Sequence, residues 1–103
     1  MRLNDYQAEA MSFRLPSACE KYALLNLTGE VGELNSLLAK ALRDGPKFDI
    51  ELNIKKELGD ILWCLSAVAA DNGMTLEEIA RSNINKLSGR KKKNSLQGSG
   101  DER

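Results

Sequence analysis

Two stretches of the chain decide its fold: residues 22–38 read YALLNLTGEVGELNSLL, and residues 54–68 read IKKELGDILWCLSAV. Each stretch carries one row of aliphatic residues that recurs in steps of three and four. The rows are Leu24, Leu27, Val31, Leu34 and Leu38 in the first stretch, and Ile54, Leu58, Ile61, Leu65 and Val68 in the second. This spacing is typical of helices that pack along the seam of a bundle. The two stretches therefore predict the paired core helices of an all-α protein.

The boundaries of the helices follow from caps and turn residues. Asn4 is the expected N-cap of the first helix, Pro16 separates that helix from the second, and Gly45-Pro46 forms a stop after the second. A capping box at residues 75–78 begins the last helix. The predicted helices span residues 4–14, 18–43, 49–71 and 76–90. A short turn after Gly45 makes the second and third helices antiparallel neighbours.

A chain of 103 residues is large enough for one compact domain and too short for two. We expect residues 1–93 to form an antiparallel bundle of about four helices, which assembles into an oligomeric bundle. Residues 94–103 contain too few apolar side chains to offset the entropy of ordering them, so we expect a flexible C-terminal tail.

The composition excludes several classes of protein. The chain has no histidine, which rules out Ser-His-Asp triads, His-ligated zinc and the Glu-x-x-His sites of di-iron bundles. The 15 basic and 15 acidic residues balance, so no general basic surface favours nucleic acid as a partner. Two cysteines, Cys19 and Cys64, are too few for a disulfide framework. Because no apolar run is long enough for a membrane span or typical of a signal peptide, we expect a cytoplasmic protein without a membrane partner.

Two acidic doublets lie inside the core stretches, Glu30-x-x-Glu33 in the first and Glu57-x-x-Asp60 in the second. Carboxylates three residues apart lie on the same face of a helix. The doublets also lie at nearly the same height on the two antiparallel helices, because Glu33 is about 18 Å from the predicted turn and Glu57 and Asp60 are about 14 to 18 Å from it. Four carboxylates on facing helices are a typical site for a hard divalent cation such as Mg²⁺.

The alternative is that the doublets are merely solvated helix faces, because acidic residues three apart are common there. Against this, the two doublets match in height, and each contains an internal glycine, Gly32 or Gly59, that costs helix propensity. The glycines indicate close helix approach or room for a ligand. Converging carboxylates repel one another and lose hydration unless a cation neutralises them. We therefore favour a metal site.

The fourth predicted helix combines an apolar stripe with polar groups. The stripe consists of Leu76, Ile79, Ala80 and Leu87. Asn83 lies in the middle of this stripe, and Lys86 and Arg90 lie three and seven residues further along the same side. An amide and two cations can together bind phosphate oxygens. The alternative is a buried Asn83 with a local hydrogen-bond partner, beside two solvated charges.

Taken in order, Glu30-x-x-Glu33, Glu57-x-x-Asp60 and Asn83-x-x-Lys86 resemble the motifs of the all-α MazG-like nucleoside triphosphate pyrophosphohydrolases. Residues 22–33 and 56–63 are similar to the two core helices of that family, and GSGDER at 98–103 is similar to the tails of its short phage and bacterial members. The resemblance implies hydrolysis of a (deoxy)nucleoside triphosphate to the monophosphate and pyrophosphate. It also implies that Mg²⁺ or Mn²⁺ binds to the four carboxylates, and that the protein is a homodimer or a dimer of dimers.

The resemblance also implies roles for individual residues. A water molecule activated by the metal would attack the α-phosphorus, with pyrophosphate as the leaving group. Glu30 or Glu33 would be the general base, and the sequence does not separate the two. Asn83, Lys86 and Arg90 would bind the phosphates of the substrate.

The family places its N-terminal helix near the nucleoside, which makes Tyr6, Gln7 and Phe13 the candidate nucleoside-binding residues. Two other functions stay open at the level of sequence. The chain could be a non-catalytic helical interaction module whose doublets only provide solubility. It could also perform the same chemistry on another nucleotide, such as phosphoribosyl-ATP.

Overall fold

The computed structural model describes residues 1–18, 20–45, 49–94, 98 and 100. These residues form four α-helices and no strand, which confirms the all-α prediction. The helices are α1 (Leu3–Ser12), α2 (Glu20–Asp44), α3 (Ile50–Asp71) and α4 (Leu76–Lys92). In the part of the chain that the structure describes, no helix has the length and apolar character needed to cross a membrane.

The two longest helices, α2 and α3, pack side by side at the centre of the structure. They run antiparallel: Asn26, early in α2, lies beside Cys64, whereas Glu33, further along α2, lies beside Glu57, an earlier residue of α3. This is the pairing that a short connection between them predicts. It brings the two acidic doublets to one side of the helix pair.

Each apolar row of α2 and α3 divides into an inner and an outer half. The half-buried members are Leu27, Leu34, Ile54, Ile61 and Val68. The exposed members, which we call the outer row, are Leu24, Val31, Leu38, Leu58 and Leu65. Within each half the residues repeat every seven positions, as in a coiled coil. The half-buried members of each row face the neighbouring helix. The outer row faces away, because a single pair of helices cannot cover both halves.

The ends of α2, α3 and α4 have clear local causes. Asp49 caps α3, because its side chain accepts a hydrogen bond of 3.1 Å from a backbone N–H of the first turn. Thr75 and Glu78 form the predicted capping box of α4, with hydrogen bonds of 2.6 and 3.2 Å. Gly45 and Gly73 follow α2 and α3 in the left-handed conformation, at φ +78° and +68°, which glycine adopts without strain.

The first helix is fastened to α3 by polar side chains. The indole Nε1 of Trp63 donates a hydrogen bond of 3.0 Å to the carbonyl oxygen of Ala10. Just beyond α1, the guanidinium of Arg14 donates two hydrogen bonds to the carboxylate of Asp71 at the end of α3, at 2.7 and 2.9 Å. Two-point contacts of this kind fix orientation as well as distance.

The position of α4 depends on Gln7, a buried side chain of α1. Its Nε2 donates to the carbonyl oxygens of Ser66 in α3 and Met74 in the α3–α4 connection, at 3.2 and 3.1 Å. Its Oε1 accepts a hydrogen bond of 3.0 Å from the backbone N–H of Leu76, the first residue of α4. The helix then packs mainly against α1, and it does not lie along α2 and α3.

The predicted helix boundaries agree with the structure to within two residues. The predicted cap is wrong, because the N-cap of α1 is Arg2, whose backbone N–H donates to Asp5 at 3.0 Å. Asn4 instead accepts a hydrogen bond of 3.1 Å from the backbone N–H of Glu77 in α4. Its side chain therefore stabilises the start of a different helix, one that is distant in sequence.

Some sequence predictions fall on parts of the chain outside the described residues. These are most of the short turn after Gly45, residue 19 of the predicted helix 18–43, and most of the flexible tail at 94–103. They stay predictions.

The ion pair between Arg14 and Asp71 predicts a pH dependence of stability. The hydrogen bonds from Arg14 hold the pKa of Asp71 below its usual value. A carboxyl group with a lowered pKa in the folded state contributes stability above its unfolded pKa, near 4, and loses it as the pH falls through the folded pKa. Asp71→Asn should therefore lower the free energy of unfolding by about 1 kcal/mol at pH 7 and flatten its decline below about pH 4. Urea unfolding at several pH values measures both effects.

Asp44→Asn is the matched control, because Asp44 pairs with Arg43 at the exposed surface. Exposed pairs contribute little, so this variant should unfold like the wild type at pH 7. Equal effects of the two substitutions would contradict the anchoring role of Asp71.

Candidate metal centre

Three carboxylates meet on one side of the α2–α3 pair. Glu30 and Glu33 lie one turn apart on α2, and Glu57 approaches them from α3. One oxygen from each carboxylate lies within 4.8 Å of the other two. We call these three residues the acidic cluster. The structure thus brings together three of the four ligands that the sequence predicts.

Burial increases the electrostatic repulsion within the acidic cluster. Glu30 and Glu57 are half-buried, and each has one carboxylate oxygen, Oε2, that is buried without a hydrogen-bond partner among the described residues. Burial raises the pKa of both carboxyl groups, and the charges of Glu33 and Asp60 raise them further. Buried carboxylate oxygens without donors are costly unless a cation coordinates them. The donor set, all oxygen and all acidic, fits a hard divalent cation such as Mg²⁺.

Asp60, the fourth predicted ligand, lies outside the acidic cluster and is exposed. It is nevertheless close, because its charge contributes to the raised pKa of Glu30 and of Glu57. It also acts on Tyr6 of α1, whose pKa is raised first by burial and then by Asp60. Asp60 therefore lies at the rim of the site, on the side of α1, and its role as a ligand stays a prediction.

Asn26 supports the acidic cluster from the next turn of α2, and it is not among the site residues predicted from the sequence. The amide Nδ2 of Asn26 donates to Glu30 Oε1 at 3.3 Å and lies 3.6 Å from the thiol sulfur of Cys64. Asn26 precedes Glu30 by four residues, so helical spacing could have identified it. The contact with Cys64 could not be identified in that way, because it crosses from α2 to α3.

The two glycines inside the doublets leave open space at the helix surface. A Cβ atom built on Gly32 or on Gly59 meets no other atom within 4 Å. Among the described residues, the close helix approach that the sequence offered as one explanation is therefore absent at both glycines. Room for a ligand or for a second chain is the explanation that remains.

The candidate phosphate-binding residues lie on α4, apart from the packed faces of α2 and α3. Asn83 and Lys86 are exposed and line a surface groove of about 440 Å³, together with Met74, Glu78, Ile79 and Ser82. The alternative of a buried Asn83 is therefore wrong for the single chain. Arg90 is buried, and its Nη2 donates to the carbonyl oxygen of Gly100 at 3.3 Å.

The candidate nucleoside-binding residues have three different environments. Tyr6 is half-buried close to Asp60, and Phe13 is 72% exposed at the end of α1. Gln7 uses both ends of its amide for the hydrogen bonds that hold α3 and α4. The placement of Gln7 does not support the prediction that it binds the nucleoside. Tyr6 and Phe13 stay candidates.

Comparison with known proteins identifies the family to which the chain belongs. The model of a protein family described as "MazG nucleotide pyrophosphohydrolase domain" matches residues 19–95. The chain is 35% identical over 85 residues to the Gene 37 protein of Mycobacterium phage L5, an alignment that covers 80% of this chain and 75% of the phage protein. No solved structure matches the chain significantly.

The acidic cluster predicts that divalent cations stabilise the fold. A cation at one hundred times its dissociation constant adds about 2.7 kcal/mol to the free energy of unfolding, which raises the Tm of a domain of this size by roughly 10 °C. Glu57→Gln should abolish this rise, because it removes the only member of the cluster on α3. Thermal unfolding with and without millimolar Mg²⁺ or Mn²⁺ measures the effect.

Glu9→Gln is the matched control, because Glu9 is an exposed acid of α1 outside the cluster. This variant should keep the full response to the cation. A metal site here would be contradicted if neither cation raised the Tm of the wild type. It would also be contradicted if the cations raised the Tm of the Glu57→Gln protein by the full amount.

Proposed function

Because the chain belongs to the MazG nucleotide pyrophosphohydrolase family, we propose that it hydrolyses (deoxy)nucleoside triphosphates to monophosphate and pyrophosphate with the help of Mg²⁺ or Mn²⁺. The observation that supports this most is the acidic cluster, Glu30, Glu33 and Glu57, with its two buried carboxylate oxygens. Such a group of carboxylates fits a hard cation, and the substrate carries the phosphates to which that cation binds.

We assign different roles to the three carboxylates according to their burial. Glu30 and Glu57, which are half-buried, would hold the cation, with Asp60 completing the set at the rim. The bound cation would polarise the phosphate oxygens and make water a better nucleophile. Glu33 is the most exposed member of the cluster. We therefore assign to it the role of general base, which accepts a proton from the attacking water. A new bond would join the water oxygen to the α-phosphorus. The bond between the α-phosphorus and the oxygen that bridges the α- and β-phosphates would break, and pyrophosphate would leave with that oxygen.

A pocket beside the acidic cluster is a suitable place for the nucleoside. Its volume is about 340 Å³, and three of its lining residues are the aromatic side chains Phe13, Tyr22 and Trp63. Aromatic faces stack on nucleobases of any sequence. Asn26 also lines this pocket and donates to Glu30, so the pocket begins one helical turn from the cluster. We place the base here, with Tyr6 near the rim on the side of Asp60.

The surface of the single chain supports assembly as a homodimer or a dimer of dimers. The chain exposes 7873 Å², whereas a monomer of 11.4 kDa is expected to expose about 5,800 Å². The difference of about 2,100 Å² exceeds the roughly 800 Å² per partner that a stable interface buries. Its radius of gyration, 16.6 Å, likewise exceeds the value of about 13 Å for a compact domain of this length. The outer row supplies apolar residues for such an interface.

The proposed activity is tested by incubating the protein with a panel of nucleoside triphosphates and Mg²⁺, and by measuring both products. The panel should yield monophosphate and pyrophosphate in equal amounts. In ¹⁸O-labelled water, mass spectrometry should find the label in the monophosphate, because the attack is at the α-phosphorus. Glu33→Gln should lower kcat by at least about 100-fold, whereas Glu9→Gln should not change it.

Other outcomes separate the alternatives. Highest turnover on phosphoribosyl-ATP would keep the chemistry and change the substrate. Label in pyrophosphate or in free phosphate would mean a different bond is cleaved. Absence of pyrophosphate with every nucleotide, together with unchanged metal response of Glu33→Gln, would favour the non-catalytic interaction module.

A further inference from the structure

We infer that Asn26 selects the base of the nucleotide. Its Oδ1 accepts a hydrogen bond from an exocyclic amino group, such as cytosine and adenine carry, and Glu30 fixes its orientation. This inference rests on the proposed function, because the base is placed in the pocket lined by Phe13, Tyr22, Trp63 and Asn26, among others, which we call the aromatic pocket. It adds the class of base that the site prefers.

The strong hydrogen-bond donors in the wall of the aromatic pocket already have partners. The indole N–H of Trp63 donates to the carbonyl oxygen of Ala10. The guanidinium of Arg14 donates to the carboxylate of Asp71 and to the carbonyl oxygen of Ala18. These groups hold the wall of the pocket in place, and reading the edge of a base is left to other side chains.

Three further polar side chains line the pocket: Ser17, Tyr22 and Asn26. A hydroxyl group both donates and accepts, so Ser17 and Tyr22 suit an amino group and an oxo group equally well. An amide oxygen accepts only. The side-chain hydrogen bonds of Asn26 among the described residues all start from its Nδ2, and none of them ends at its Oδ1. Oδ1 is therefore the atom that can distinguish one base from another.

The orientation of the Asn26 amide follows from the chemistry of its neighbour. The distance from Nδ2 to Glu30 Oε1 is 3.3 Å, and the distance from Nδ2 to Cys64 Sγ is 3.6 Å. An ionised carboxylate only accepts hydrogen bonds, so the amide atom that faces Glu30 must be the nitrogen. A flipped amide would bring two acceptor oxygens together. Glu30 thus directs Nδ2 towards the acidic cluster, and Oδ1 is the polar atom that Asn26 can offer to a base.

An acceptor with a fixed orientation discriminates between bases by their exocyclic substituent. The amino group of cytosine or adenine donates a hydrogen bond to Oδ1, and asparagine binds adenine through the same amino group in DNA recognition. The oxo group of uracil or hypoxanthine is itself an acceptor and would leave Oδ1 without a donor. Asn26 is half-buried, where an acceptor that loses water without gaining a donor is costly. The pocket should therefore prefer the amino bases.

The fluorescence of Trp63 tests this preference directly, because Trp63 is the only tryptophan of the chain and lines the aromatic pocket. Two matched pairs of nucleotides are titrated, dCMP against dUMP and dAMP against dIMP. The titrations contain EDTA, so that neither hydrolysis nor a bound cation contributes. A slightly alkaline buffer is used because burial raises the pKa of Glu30 and only the ionised carboxylate is a pure acceptor.

In at least one pair, the amino nucleotide should quench Trp63 with a dissociation constant at least about tenfold lower than that of its oxo partner. The pair that shows this difference identifies the base as a pyrimidine or a purine. Asn26→Ala should reduce the preference to less than about twofold, because it removes the acceptor. Glu30→Gln should reduce it as well, although it changes no residue that lines the pocket, because a glutamine amide can face either end of the Asn26 amide.

Asn53→Ala is the matched control. Asn53 precedes Glu57 by four residues, as Asn26 precedes Glu30, but its Nδ2 donates to the carbonyl oxygen of Asp49 at 2.8 Å. It is not among the residues that line the aromatic pocket. This variant should keep the full preference for the amino nucleotide. Glu30→Gln also keeps the experiment decisive if Asn26→Ala fails to fold.

Several results would overturn the inference. Equal binding within both pairs, or tighter binding of the oxo nucleotides, would contradict the selection of an amino group. A full preference in Asn26→Ala would assign the selection to another residue, and a full preference in Glu30→Gln would remove the orienting role of Glu30.

Two further results separate this inference from the proposed function. If none of the four nucleotides quenched Trp63 at millimolar concentration, the base would not bind in the aromatic pocket, and the proposed hydrolysis would be unaffected. If the wild type preferred the amino nucleotide in this titration but hydrolysed no triphosphate, the proposed function would be refuted and the selection of the base by Asn26 would be supported.

Discussion

The contact between α2 and α3 places like charges where water cannot fully hydrate them, and the rest of the structure depends on this constraint. The inner halves of the apolar rows bring the helices together, and the same contact brings Glu30, Glu33 and Glu57 to within 4.8 Å. Burial and mutual repulsion raise the pKa of Glu30 and Glu57. Proteins retain such repulsive groups where a ligand neutralises them. The packing that stabilises the core is thus also the packing that prepares the site.

Apolar surface also remains uncovered in the single chain, because the outer row of α2 and α3 and the middle of α4 are exposed. Both surfaces are apolar and both adjoin polar groups with a proposed role in binding the substrate. Gln7 connects them within one chain, since its amide bonds to α3, to the α3–α4 connection and to α4. Gln7, which the sequence analysis names as a candidate nucleoside-binding residue, forms the joint that directs α4 away from its own core.

Much of this arrangement could be predicted from sequence, and the failures have physical causes. Helical spacing and a short turn determine where Glu30, Glu33 and Glu57 lie, so their meeting could be predicted. The direction of α4 could not, because it depends on hydrogen bonds from α1 that join residues about seventy positions apart. The division of each apolar row into a buried and an exposed half could not be predicted either, because both halves have the same spacing. Only the arrangement of the helices decides which half is covered. Asn83 was offered as a buried amide for the same reason.

The central claim is that Glu30, Glu33 and Glu57 together hold a divalent cation. Anomalous diffraction from crystals soaked in Mn²⁺ tests it most directly, because the anomalous signal identifies the position of the ion without reference to activity. The account predicts one strong peak on the shared side of α2 and α3, with an oxygen of each of these three carboxylates at about 2.0–2.6 Å. A fully occupied Mn²⁺ ion elsewhere, or no peak between the three carboxylates at saturating Mn²⁺, would contradict it.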